Sequence, residues 1–165
     1  MVTGKELKEI ADKLKNDESF CRLAYYGENP FDDNKQDVIG LDNYKEIMDD
    51  IIRYAPQLPD VENMEQSRIC LFKHYTKLNS GMEAIRYESV QIDLYVPHRL
   101  MNEELRVYEL ENKIVNLIDG MNVGVGTLDY VDGRFVVITN VSGYVQFSMI
   151  FTTEVIRRIK HNARF

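Results

Sequence analysis

The chain has no tryptophan, two cysteines, three histidines and four prolines in 165 residues. Two thiols are too few for a disulfide scaffold, and Cys21 and Cys70 lack the close spacing of zinc or redox motifs, so both are expected as reduced, half-buried side chains. His74, His98 and His161 are each more than five residues from the next, which excludes a sequence-local zinc site and leaves no metal or cofactor expected. Long apolar runs are missing as well. The stretch from Phe135 to Ile138 is typical of the longest, far below the roughly 20 residues of a membrane helix. The first nine residues are charged and amphipathic and do not form the apolar core and cleavage site of a signal peptide, so the expectation is synthesis in the cytoplasm. Positive charge is scarce: 20 Lys and Arg face 27 Asp and Glu, for a net charge of −7. That balance argues against a nucleic-acid reader, whose affinity comes from clustered cations on phosphates.

What is present is an ordinary globular composition, 44% hydrophobic and 28% charged, in a chain long enough to bury one sizeable core. The charge is unevenly spread. Residues 1–66 carry 16 acidic against 8 basic side chains, residues 67–153 carry 10 against 8, and residues 154–165 carry 1 against 4. No Gly/Ser/Pro-rich linker separates these parts. We therefore expect one α+β domain over 1–165, with a helical part over 1–60, a sheet-plus-helix core over 67–153 and a basic tail over 154–165.

Thr3-Gly4-Lys5-Glu6 has capping-box spacing, and Leu7, Ile10, Ala11 and Leu14 follow at helical intervals, which predicts a first helix ending near Asn16. Ser19–Tyr26 reads as a second short helix, broken by Gly27-Glu28-Asn29-Pro30. Phe31–Gly40 reads as a polar loop, and Asp42 is placed to cap a third helix carrying Tyr44, Ile47, Met48, Ile51 and Ile52. Beyond Gln66 the pattern changes to strands over Ser67–Thr76 and Ser89–Pro97, a hairpin joined by the long Lys77–Glu88 connection. Val90, Ile92, Leu94 and Val96 alternate with Gln91, Asp93 and Tyr95, so Asp93 is expected on an exposed face. Asn102 then caps a long helix over 102–119, with Glu103 and Glu104 in its first turn and Val107, Leu110, Ile114, Leu117 and Ile118 as its apolar stripe. Three more strands follow, Val123–Val131, Arg134–Thr139 and Tyr144–Thr153, with Asp132-Gly133 as a two-residue hairpin turn and Asn140–Gly143 as a second turn. The expected fold is an antiparallel sheet of about five strands with one long helix across it, plus N-terminal helices.

Chemistry is sparse. Asp32-Asp33-Asn34-Lys35-Gln36-Asp37 lacks the Gly and the final Glu of a calcium loop. Gly124-Val125-Gly126 lacks the third Gly and the following helix of a dinucleotide site, so it reads as a bulge or close backbone approach. Cys70 and His74 are four residues apart on a strand, about 13 Å, too far for nucleophile and base, while Cys70 with His98 across the hairpin is geometrically open. No catalytic residues are assigned. A small cytoplasmic enzyme whose site joins distant residues, with Cys70, His74 and His98 first to test, and a protein-binding adaptor are the alternatives to the reading that follows. Ten tyrosines, several on predicted strands, suit protein interfaces, and no basic groove accompanies them for stacking on nucleic acid.

The N-terminal helical stretch with Leu23-Ala24-Tyr25-Tyr26-Gly27-Glu28-Asn29-Pro30-Phe31, then Arg68-Ile69-Cys70-Leu71-Phe72-Lys73, then Val90-Gln91-Ile92-Asp93-Leu94-Tyr95-Val96-Pro97, one amphipathic helix and a C-terminal hairpin resembles tailed-bacteriophage neck and tail-completion proteins. The resemblance spans about residues 20–153, with Asp32–Glu65 as an addition relative to the shortest members. It implies a non-enzymatic virion structural protein, a head-tail joining protein or tail terminator that forms a homo-oligomeric ring of six copies. Its partners would be itself and neighbouring neck, tail-tube or connector proteins, with DNA passing an acidic lumen without sequence-specific binding and no membrane involved. Ring contacts would then come from projecting loops and the basic end: Asp32, Asp33 and Asp37, Asn79, Gly81 and Glu83, and Arg157, Arg158 and Lys160.

Overall fold

The first helix, α1 (Gly4–Lys15), begins where its cap dictates. Both halves of the capping box form, with the Thr3 amide donating to the Glu6 carboxylate at 2.7 Å, and Asn16 closes the other end. Next, α2 (Glu18–Tyr25) starts at Asp17, whose carboxylate accepts from the Phe20 amide at 2.8 Å. The third helix, α3 (Tyr44–Ile51), is preceded by Asn43, not Asp42, and no side chain caps it. The structure, a computed structural model, describes residues 1–56, 66–78, 85–136 and 143–156.

Five strands form one sheet in the order β1-β2-β3-β5-β4. These are β1 (Ile52–Arg53), β2 (Arg68–Leu78), β3 (Ile85–Pro97), β4 (Asp129–Val136) and β5 (Tyr144–Ile156). All neighbours pair antiparallel except β1, which adds two residues parallel to β2 beside Ile69 and Cys70. The β2–β3 hairpin extends further than its pattern suggested, so the connection shrinks to 79–84. Asn79, Gly81 and Glu83 lie outside the described residues.

The long helix expected over 102–119 is two helices, α4 (His98–Glu104) and α5 (Arg106–Ile118), divided at Leu105, whose φ of 52° is left-handed. Glu103 and Glu104 therefore end α4 and do not open α5. The Asp132-Gly133 hairpin is also absent: β4 runs straight through it, with a bulge between Tyr130 and Asp132. Gly133 is there for close approach. A Cβ would overlap the Tyr130 hydroxyl and come within 2.8 Å of Phe147 Cζ and 2.9 Å of Glu111 Oε1. In place of the strand expected from Val123, a tight turn pairs Asn122 with Thr127, with Gly124 at φ 78° and Gly126 where a Cβ would come within 2.7 Å of the Glu154 carbonyl.

The alternation of β3 sets the layers. Val90, Ile92, Leu94 and Val96 enter one core with Ile10, Leu14, Phe20 and Leu23 of α1 and α2, with Leu110, Ile114 and Ile118 of α5, and with Phe147, Met149 and Phe151 of β5. Helices thus cover one face of the sheet, and Lys113 of α5 ties to the α2 cap at Asp17 over 3.0 Å. Near the N-terminus, the buried Glu88 accepts from the Val2 amide and lies 3.6 Å from Lys73 Nζ. Among the described residues, no helix is long and apolar enough to cross a membrane.

Candidate functional site

Two buried arginines organise one end of the molecule. Arg22 sits in an otherwise apolar stretch of α2, between Cys21 and Leu23, and turns its guanidinium into the loop that follows. Its Nε donates to Pro30 O at 2.7 Å, its Nη atoms to Asp32 O at 2.9 Å and to Lys35 O at 3.3 Å, and Nη1 pairs with the Asp37 carboxylate at 3.0 Å. Glu18 accepts from the amides of Val38 and Ile39 at 2.7 and 2.9 Å, and the Tyr26 hydroxyl donates to Gln36 O at 2.7 Å. The polar loop read over Phe31–Gly40 is therefore fixed from within. Asp32 accepts from Asn34 through both its amide and its side chain, which holds the Asp32 carboxyl below its ordinary range. Asp33 is exposed, and Asp37 is committed to Arg22.

Arg106 is fully buried at the start of α5. Nη1 donates to Leu23 O and Tyr26 O at 2.6 and 2.7 Å, and Nη2 to Gly27 O at 3.0 Å, so one guanidinium closes the end of α2 by satisfying a carbonyl of its last turn, that of its cap residue and the next. Nη2 also pairs with Glu104. Glu104 in turn accepts from the amide of Asn29, a residue with φ 45°, at 2.9 Å. Burial opposes the Glu104 charge, but the Asn29 amide and Arg106 outweigh it and hold the carboxyl below the usual carboxylate range. Arg99 pairs with Glu28 and, at 3.6 Å, with Glu103.

Between these clamps lies an open cleft of about 550 Å³ lined by Asn29, Pro30, Phe31, Asp32, Glu104 and Glu109. Phe31, which lines the cleft, is 55% exposed, and Leu105, the residue after Glu104, is 56% exposed. Tyr108, one residue before Glu109, is also exposed and packs edge-on against the exposed Phe135 of β4. Of the two non-glycine left-handed residues among those described, Asn29 lines the cleft and Leu105 follows its lining residue Glu104, and such strained positions persist where surrounding contacts over-determine them. The arrangement is a pre-set acidic and aromatic surface.

The chain's nucleophile and base candidates are not brought together. Cys21 and Cys70 are fully buried, deeper than expected, and burial with the Glu18 charge pushes the Cys21 thiol up to about 12. Cys70 pairs in register with Asp93, five residues from His98 and so about 16 Å along the strand, while His74 is exposed against Tyr75. Among the described residues, no group of three or more His, Cys, Asp or Glu is placed to hold a metal.

Asp93 departs from expectation. It is 3% exposed and accepts from Ser148 Oγ at 2.6 Å, Gln91 Nε2 at 2.7 Å and Gln146 Nε2 at 3.1 Å, beside a small cluster of Cys70, Tyr95 and Tyr144. Its registry with Ser148 and Cys70 in the middle of the sheet, and not its polarity, decides its burial. Of the residues expected at contacts, Asp32 lines the cleft and Asp33 and Asp37 belong to the loop beside it. Arg157, Arg158 and Lys160, like Asn79, Gly81 and Glu83, lie outside the described residues.

A protein-family model, YomW, matches residues 17–153, from the α2 cap through nearly all of β5. The chain belongs to the YomW family. The match takes in both arginine clamps and every residue lining the cleft, and YomW membership is consistent with the phage association that the sequence resemblance implies. The YomW model leaves residues 1–16 and the basic segment after β5 outside its span. No curated protein matches the chain.

Proposed function

We propose that this YomW-family protein is a non-enzymatic structural component of a tailed-phage particle, a ring-forming tail terminator or head-tail joining protein. The observation that carries this reading is the pre-organised end surface: exposed Phe31 and Leu105 beside a cleft whose walls are held by buried Arg22 and Arg106. Rigid backbone that presents exposed apolar side chains reduces the ordering cost of association, which is what an assembling subunit needs. A catalytic centre instead needs a reactive group poised against a base, and the candidates for that, Cys70, His74 and His98, stand apart. The net charge of −7 suits a ring whose lumen passes DNA without holding it, because like charges offer no counterion release. The partners are further copies of the chain and neighbouring neck, tail-tube or connector proteins. Immunogold labelling of intact particles of the encoding phage tests this: label at the head-tail junction or tail end is expected, and particles that lack the chain would overturn it.

A further inference from the structure

The acidic cleft lies at the end of the sheet where β5 begins, and the basic residues follow the last residue of β5 in sequence. We propose that the cleft formed by Asn29–Asp32, Glu104 and Glu109 on one copy is the docking site for the basic segment from Arg157 to Lys160 of a second copy, a head-to-tail contact. The contact deepens the assembly reading, and only its closure into a ring rests on that reading.

Placement comes first. The cleft end of the molecule is where β5 begins: Pro97 pairs with Tyr144, the His98 amide donates to Gly143 O at 2.8 Å as α4 starts, and Tyr108 of α5 packs on Phe135, which pairs with Phe147. From Phe147, β5 runs nine residues to Ile156, about 30 Å away at a strand's rise per residue. Arg157, Arg158 and Lys160 follow within four residues of Ile156, and four residues of chain span at most about 14 Å. That length of chain is too short to carry Arg157, Arg158 or Lys160 back to the cleft of their own copy. The contact is therefore one between copies, the cleft of one taking the segment of the next.

Chemistry matches the two surfaces. Asp32, Glu104 and Glu109 line the cleft, and Arg106 contacts only two of them. Its Nε stands 3.9 Å from Glu109 Oε2, beyond hydrogen-bonding distance, and the Glu109 side chain is half exposed, so this wall keeps a carboxylate open to a cation. A basic peptide supplies that cation. The segment Arg157-Arg158-Ile159-Lys160 holds three permanent cations and no carboxylate, with Ile159 to meet the exposed Phe31 or Leu105. A contact between different patches on identical chains is heterologous and generates rings or filaments.

The test uses the full chain carrying Arg157→Glu, Arg158→Glu and Lys160→Glu, titrated with a labelled synthetic peptide of residues 155–164 and followed by fluorescence anisotropy. Saturable binding is expected. It should weaken at least tenfold when Glu109→Lys is added, and fall as salt rises. The Glu109→Lys chain should in turn prefer the charge-reversed peptide, a rescue that misfolding could not produce. No saturable binding, or equal binding with Glu109→Lys, overturns the contact even if the chain forms rings by other surfaces. Peptide binding by a chain that never forms rings would uphold the contact and overturn the ring reading alone.

Discussion

Replacing Arg106 with Met keeps the apolar stem and removes every donor. The carbonyls of Leu23, Tyr26 and Gly27 lose their shared partner, and Glu104 is left partly buried without its guanidinium. Removing one member of a buried, hydrogen-bonded ion pair typically costs about 3–5 kcal/mol, because the abandoned groups are already out of water. For a chain of this size each kcal/mol moves the melting temperature by roughly 2–4 °C, so the variant should melt about 6–20 °C lower. Arg106→Lys should fall between, since a point charge reaches fewer of the carbonyls than a planar fork. Thermal unfolding followed by circular dichroism, with urea unfolding as a second probe, reads the difference. A change under about 2 °C would refute the idea that one guanidinium joins the end of α2 to the start of α5, and with it the account of why the cleft is rigid.

Gly133→Ala should destabilise by about 1–3 kcal/mol, as overpacking does, because its new Cβ meets Phe147, Glu111 and the Tyr130 hydroxyl; a stable variant would restore the turn reading of Asp132-Gly133. Thr3→Ala should cost about 1 kcal/mol by breaking the α1 capping box, measured by urea unfolding, and no loss would mean that α1 is set by packing alone. Alkali should unfold the protein progressively. Burial, as the leading cause, raises Cys21 from 9.0 to about 12 and Tyr44 and Tyr95 from 10.0 to about 12. Raised folded values mean that the unfolded chain loses its protons first, so their contribution is complete below about pH 9 and is lost as pH rises toward 12. Stability flat from pH 9 to 12 would contradict this, as would rapid modification of the native Cys21 thiol at pH 8.

Much of the fold was legible where local chemistry and tertiary packing agree. The Thr3 capping box, the alternation from Val90 to Val96 and the apolar stripe of α5 each have one reading, and the structure keeps it. Legibility failed where a residue serves a distant contact. Gly133 looked like a turn because glycine permits one, yet its lack of a side chain is needed by Tyr130, Phe147 and Glu111. Leu105 carries no local sign of a left-handed backbone, so nothing in the 102–119 pattern announced the break between α4 and α5. The cleft was invisible for the same reason. Asp32 was singled out within its loop, but Glu104 and Glu109 come from the far side of the sequence and are joined to it through Arg22 and Arg106. One signal was available: an arginine inside an apolar helix stripe, as Arg22 is between Cys21 and Leu23, is placed to be buried and therefore to hold something.

The most direct test of the assembly account is the absolute mass of the purified chain by light scattering over a concentration series, with negative-stain images of the largest species. A closed ring of six 19.3 kDa chains, about 116 kDa with a central hole wide enough for duplex DNA, is the result expected. A 19.3 kDa monomer at every concentration, with no ring in the images, would contradict it.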